Sequence, residues 1–136
     1  MGSQLVAEAE RAEKITINLG IVDLGQIDLL VREGFYANRT DFIRTAIRNH
    51  LSANGEAITR TAARKALVLG TEHYSRSALE ELRAAGRTVH ILVLGLASIA
   101  DDVTPELALA TIASVEVLGA FRASPAVKAA LAHRTA

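Results

Sequence analysis

The 136-residue chain has no cysteine and no tryptophan, and only three phenylalanines, two tyrosines and two prolines. Without cysteine there is no disulfide framework, no thiol nucleophile and no thiolate metal site. With so few aromatics, a chain that is half apolar must build its core from Leu, Ile, Val and Ala. Neither sign of charge prevails, because 15 Lys and Arg face 15 Asp and Glu. No global field therefore draws the molecule to nucleic acid or membrane, and any such function rests on local arrangement. The longest apolar run, "VHILVLGLASIA", is too short to span a bilayer. The start, "MGSQLVAEAE", has neither the basic nor the apolar region of a secretory signal, and Val6 stands where a myristoylation pattern needs Ser or Thr. The expectation is a cytoplasmic protein.

Enzymatic chemistry is not expected. There is no glycine-rich phosphate loop and no nucleophile–base or carboxylate pair in a plausible frame. His50, His73, His90 and His133 are scattered, so neither a cofactor nor a metal is expected. Asp101 and Asp102 precede a helical pattern, and adjacent acids there complement the helix dipole.

Four segments differ in rhythm. Residues 1–13 read as a flexible arm, 14–52 as a compact strand–helix–helix unit, 53–63 as a small-residue linker, and 64–136 as a β/α repeat domain. The repeat is carried by the tripeptide "VLG" at 68–70, 93–95 and 117–119. Each copy closes a β-type run, and each is followed by a helix start capped by Ser75, Thr104 or Ser124. Two of these caps precede a proline, where the missing N–H costs nothing. Strand, loop and helix at such a period predict a solenoid-like stack. The insertion "ASIADDV" leaves an alternative, in which an extra strand makes residues 65–119 a ferredoxin-like βαββαβ sandwich. Either way the class is α+β. The last strand, "ASVEVLGAF", is expected to pair or pack with another protomer, giving tetramers or larger assemblies.

The first unit opens on "KITINL", residues 14–19, with the strict alternation of a half-buried strand. Nothing in the next forty residues resembles a second strand. The helices that follow carry Leu24, Ile27, Leu30 and Val31 on one stripe, and Phe42, Ile43, Ala46, Ile47 and Leu51 on another. Asn38 and Asp41 form a capping signal between them. So small a unit cannot enclose a core alone, and without cysteines or a metal cluster the remaining route is oligomerisation. The missing partner is most simply the same strand of a second chain. Ile15, Ile17, Leu19, Ile43 and Ile47 would then form the dimer core, with Lys14, Thr16 and Asn18 on the outer face.

"KITINL…LLVREGFYANRTDFIRTAIRNHL" resembles the ribbon-helix-helix family of Arc/MetJ/CopG-type bacterial DNA-binding regulators over residues 14–51. The resemblance implies a homodimeric two-stranded ribbon in the major groove, a repressor role and association with the nucleoid. Lys14, Thr16 and Asn18 become base-reading residues, since a ribbon fits that groove and these side chains match base edges there. Asn38 and Arg39, at the start of the second helix, would hold a phosphate, with Arg44 and Arg48 as further candidates. DNA carrying short inverted or direct repeats is the implied partner. The nickel-responsive members of this superfamily bear a Cys ligand and a close His pair, which this chain lacks. Residues 1–52 hold six Lys and Arg against seven Asp and Glu, short of the usual cationic footprint. That balance supports an alternative, a scaffold protein using the unit only to dimerise. An antitoxin is the third reading, opposed by the ordered look of the repeat.

Overall fold

A computed structural model describes residues 12–136, and the flexible arm expected over 1–13 lies almost wholly outside them. The described chain divides into two compact units, Ala12–Thr61 and Ala62–Ala136.

The first unit holds α1 (Ile21–Arg32), α2 (Arg39–Ala53) and most of α3 (Gly55–Arg64). Gly34, at φ +82°, ends α1 with the paired bonds of a Schellman turn: the Gly34 amide donates to the Val31 carbonyl at 3.1 Å and Phe35 to Leu30 at 3.0 Å. Asn38 then caps α2 by accepting the Asp41 amide at 2.8 Å, while the Asp41 carboxylate accepts the Ala37 amide at 3.0 Å. Both arms of a capping box are present, one of them shifted by a residue. Residues 14–19 lie in neither a helix nor a sheet within the chain. The stretch expected as a small-residue linker, 53–63, is mostly helical, because α3 runs through it and across the boundary between the units.

The second unit is a three-stranded sheet of β1 (Val68–Tyr74), β2 (Val89–Ile99) and β3 (Ile112–Arg122), interleaved with α4 (Arg76–Ala84), α5 (Pro105–Thr111) and α6 (Pro125–Leu131). The strands are all parallel and stand in chain order. This arrangement excludes the ferredoxin-like alternative, whose sheet is antiparallel. The insertion makes no extra strand either: "ASI" extends β2 to Ile99, and Asp101 and Asp102 form the turn after it. The three VLG copies are in register, Val68 with Val93 and Val117, Leu69 with Leu94 and Leu118, and Gly70 with Gly95 and Gly119. Ser75, Thr104 and Ser124 cap α4, α5 and α6, each accepting the amide three residues on at 3.2–3.3 Å. Leu79, Ile91, Val93, Leu107, Ile112, Val115, Val127 and Leu131 are buried between the helices and one face of the sheet.

The glycines of the repeat are required by contact as well as by conformation. Gly70, Gly95 and Gly119 have φ of +135°, +141° and +118°. A Cβ on Gly95 would lie 2.1 Å from the Gly70 carbonyl oxygen, and one on Gly119 2.1 Å from that of Gly95, whereas Gly70 has open space. Gly95→Ala therefore adds a backbone clash to backbone strain, and its expected loss of stability is on the order of 3 kcal/mol. Gly70→Ala incurs strain alone, about 1 kcal/mol. Denaturant titration of both variants should rank them so, and equal losses would contradict a close-packed glycine row. Ala66 supplies the opposite case: at φ +57° it occupies the left-handed position of a Schellman turn, with the Leu67 amide donating to Ala62 at 2.9 Å. Ala66→Gly should raise stability by about 0.5–1 kcal/mol.

Candidate nucleic-acid interface

Within residues 12–61 only Ile27 is buried, at 7% exposure. Leu24, Leu30 and Val31 of α1 and Phe42 and Ile43 of α2 are half-buried, and Tyr36 meets Phe42 edge-to-face at 5.0 Å. Ile15, Ile17, Leu19, Ile21, Val22, Leu29, Phe35, Ile47 and Leu51 remain exposed. The five side chains assigned to a dimer core thus fall on the surface of one chain, Ile43 half-covered and the others open to solvent. A hollow of about 300 Å³ is lined by Asp23, Gln26, Ile27 and Leu30 of α1 and Phe42 of α2. Burial of an apolar side chain contributes about 1.5–3 kcal/mol. A fifty-residue unit that buries one such side chain lacks the means to offset its own conformational entropy. The sequence stripes indicated part of this surface; Ile21, Val22, Leu29 and Phe35 were missed, since an apolar residue at an element's edge carries no periodic signal.

Lys14, Thr16 and Asn18 lie exposed on the segment before α1. At the start of α2, the Asn38 side chain has taken the Asp41 amide, and the amides of Arg39 and Thr40 have no acceptor within the helix. The Arg39 guanidinium is not free. Its Nε donates to one carboxylate oxygen of Asp28 at 2.7 Å and a terminal nitrogen to the other at 2.8 Å, a bidentate pair joining the two helices. Both side chains are about half exposed, so water and salt screen the pair. Asp28, eleven residues before its partner, escaped sequence reasoning because no local pattern links the two. Arg44 and Arg48 are exposed on α2 and belong to none of the ion pairs seen among the described residues.

The four histidines are not brought together. His50 lies in the last turn of α2, and His133 sits in the short helical turn after α6. His73 bonds Ser98 across β1 and β2, and His90 bonds Ser114 across β2 and β3, each from Nδ1 at 2.7 Å.

The Asp28–Arg39 pair has a defined pH signature. Hydrogen bonding to Arg39, aided by its charge, holds the Asp28 carboxyl below the ordinary value of 3.8, and the same bond raises Arg39 above its ordinary range. A depressed folded-state pKa means that the pair's contribution is present above about pH 3.8 and lost as pH falls through the folded value. A carboxyl NMR titration should show Asp28 protonating below 3.8, and Arg39→Ala should return it to the ordinary range. An unmoved Asp28 would sink the pairing.

No curated protein and no solved structure matches the chain. One family model does, over residues 10–128, so the match takes in the unit with the exposed segment 14–19 and most of the β/α unit. The order of elements around "GFYANRTDF" and the extent of that match agree: this chain belongs to the ribbon-helix-helix transcriptional regulator family, whose members dimerise and bind DNA.

Proposed function

We propose that the protein is a sequence-specific repressor that reads the major groove with a dimeric β-ribbon formed by residues 14–19 of two copies. The observation that carries this reading is the single buried side chain among residues 12–61, beside an alternating segment with no strand partner in its own chain. Pairing two such segments antiparallel covers Ile15, Ile17 and Leu19 and satisfies the ribbon's backbone groups. Lys14, Thr16 and Asn18, repeated by the two-fold, then face the base edges, where Lys suits guanine, Asn adenine and Thr either base. The start of α2, with the Arg39 and Thr40 amides, anchors a phosphate and sets the register. The second unit adds a further level of assembly, since Thr135 bridges β3 at Val115 alone and the outer edge of β3 is otherwise unpaired among the described residues. The scaffold reading draws on residues 12–61 holding six basic and six acidic side chains, a balance that weakens non-specific attraction to DNA.

Selection from a random duplex pool at low and moderate salt separates the two. The intact chain should enrich short repeated sites, and Lys14→Ala/Asn18→Ala should lose that enrichment while keeping its dimeric mass; no enrichment by the intact chain would sink the repressor reading. Asp28→Asn frees the Arg39 guanidinium beside the anchor. Binding of that variant should grow more salt-dependent, with a log–log slope steeper by about 0.9 for each phosphate newly neutralised. An unchanged slope would remove Arg39 from the DNA contact.

A further inference from the structure

Parallel sheets are ordinarily covered on both faces. Here the helices cover one face, built from Ile91, Val93, Ala97, Ile99 and Val115. Alternate residues of the strands point the other way, and the register stacks them in rows. The middle row is Leu69, Leu94 and Leu118, the leucines of the repeat. Leu69 is 69% exposed and Leu118 53%. Leu92 with Glu116 flanks the row on one side, and Leu96 with Ala120 on the other, all partly exposed. Polar residues close both ends: the His90–Ser114 pair before, and the His73–Ser98 pair with Arg122 after. An apolar centre within a polar rim is the anatomy of an interface. Because each histidine already bonds its serine, the rim is provided for within the chain.

We infer that this face is covered by the same face of a second copy, the one already joined to it through the N-terminal ribbon. The inference rests on the dimer proposed above. Area decides for that occupant. Three strands about 4.8 Å apart and rows about 6.6 Å apart give a face of roughly 15 by 26 Å, on the order of 400 Å². Two such faces bury about 800 Å², short of the 1,200–2,000 Å² of a stable free-standing complex. A foreign protein arriving by diffusion would be held weakly. A tethered copy is present at an effective concentration in the millimolar range, where so small a surface suffices. The charge on the face is met within the chain, where Glu116 pairs with Lys65 at 3.8 Å, and a two-fold contact asks only that the face fit itself. Leu94 lies on the middle strand and in the middle row, so an axis that superposes the two faces sets Leu94 against its own copy.

The natural lack of cysteine makes the test direct. Leu94→Cys in the full chain, treated with a short bis-maleimide, should give a covalent dimer whose yield does not change on dilution, provided the mass stays dimeric. Arg83→Cys, on α4 at the helix-covered side, should not. Adding Leu69→Glu and Leu118→Glu to Leu94→Cys should abolish the cross-link, with the circular dichroism unchanged. A dimeric protein in which Leu94→Cys gives no cross-link, or one whose yield falls with dilution, would overturn the inference. So would an introduced thiol that is protected from a simple maleimide yet never cross-links, which would assign the face to another occupant such as residues 1–11 or a foreign protein. A monomeric mass for the unmodified chain would instead refute the ribbon dimer beneath it.

Discussion

Apolar surface that one copy leaves in water is the constraint on which the rest depends. The unit of residues 12–61 buries Ile27 and little else, although it carries nine large exposed aliphatic or aromatic side chains. Its first helix is ended by a glycine turn at Gly34 and its second begun by a capping box at Asn38. Caps decide where helices start and stop, and they contribute about 1 kcal/mol each. That does not replace a core. Membership in a dimerising family therefore answers a physical deficit in the chain itself, and the ribbon proposed over residues 14–19 would be one place where it is met.

The second unit solves its own core and leaves a different surplus. Its helices and one sheet face bury a contiguous aliphatic cluster from Leu79 to Leu131. The stack is held in register by Gly70, Gly95 and Gly119, where the carbonyl of one glycine occupies the place of the next one's missing Cβ. The same register aligns the leucines preceding them on the opposite face. One three-residue motif thus contributes a valine to the core side, a leucine to the open side and a glycine that permits the strands' close approach.

Much of this was legible in the residues. The caps Ser75, Thr104 and Ser124 stood out because a hydroxyl before a helical pattern, twice followed by proline, has a local mechanism. The β-type run "VHILVLG" and the near-equal spacing of the VLG copies pointed to a regular succession of strands. The insertion was misleading, because "ASI" is as good a β-former in a continuing strand as in a new one, and only the parallel pairing of Ala97, Ser98 and Ile99 with β1 decides between them. Residues 53–63 looked like a linker from their small and polar composition. Yet Ala57, Ile58, Ala62 and Ala63 are compatible with helix, and such residues fit a helix whenever a neighbour offers packing. The Asp28–Arg39 pair was invisible for a simpler reason: a contact across a helical hairpin has no signature in local spacing.

That pair also bears on how a near-neutral chain handles an anion. Arg39 stands at the first position of α2, beside the amides that have no acceptor in the helix, and Asp28 fixes its guanidinium there by both carboxylate oxygens. Such a pair neutralises the cation and so lowers indiscriminate attraction to DNA, which grows with every unpaired charge. It also holds the guanidinium in one place, which lowers the entropy lost when a phosphate is bound. The exposed geometry keeps the exchange inexpensive, since an ion pair in water is screened. A regulator built this way depends less on charge and more on residues repeated by symmetry. On the reading proposed above those are Lys14, Thr16 and Asn18, so selectivity would come from the ribbon and its dimerisation, with the helix end supplying register.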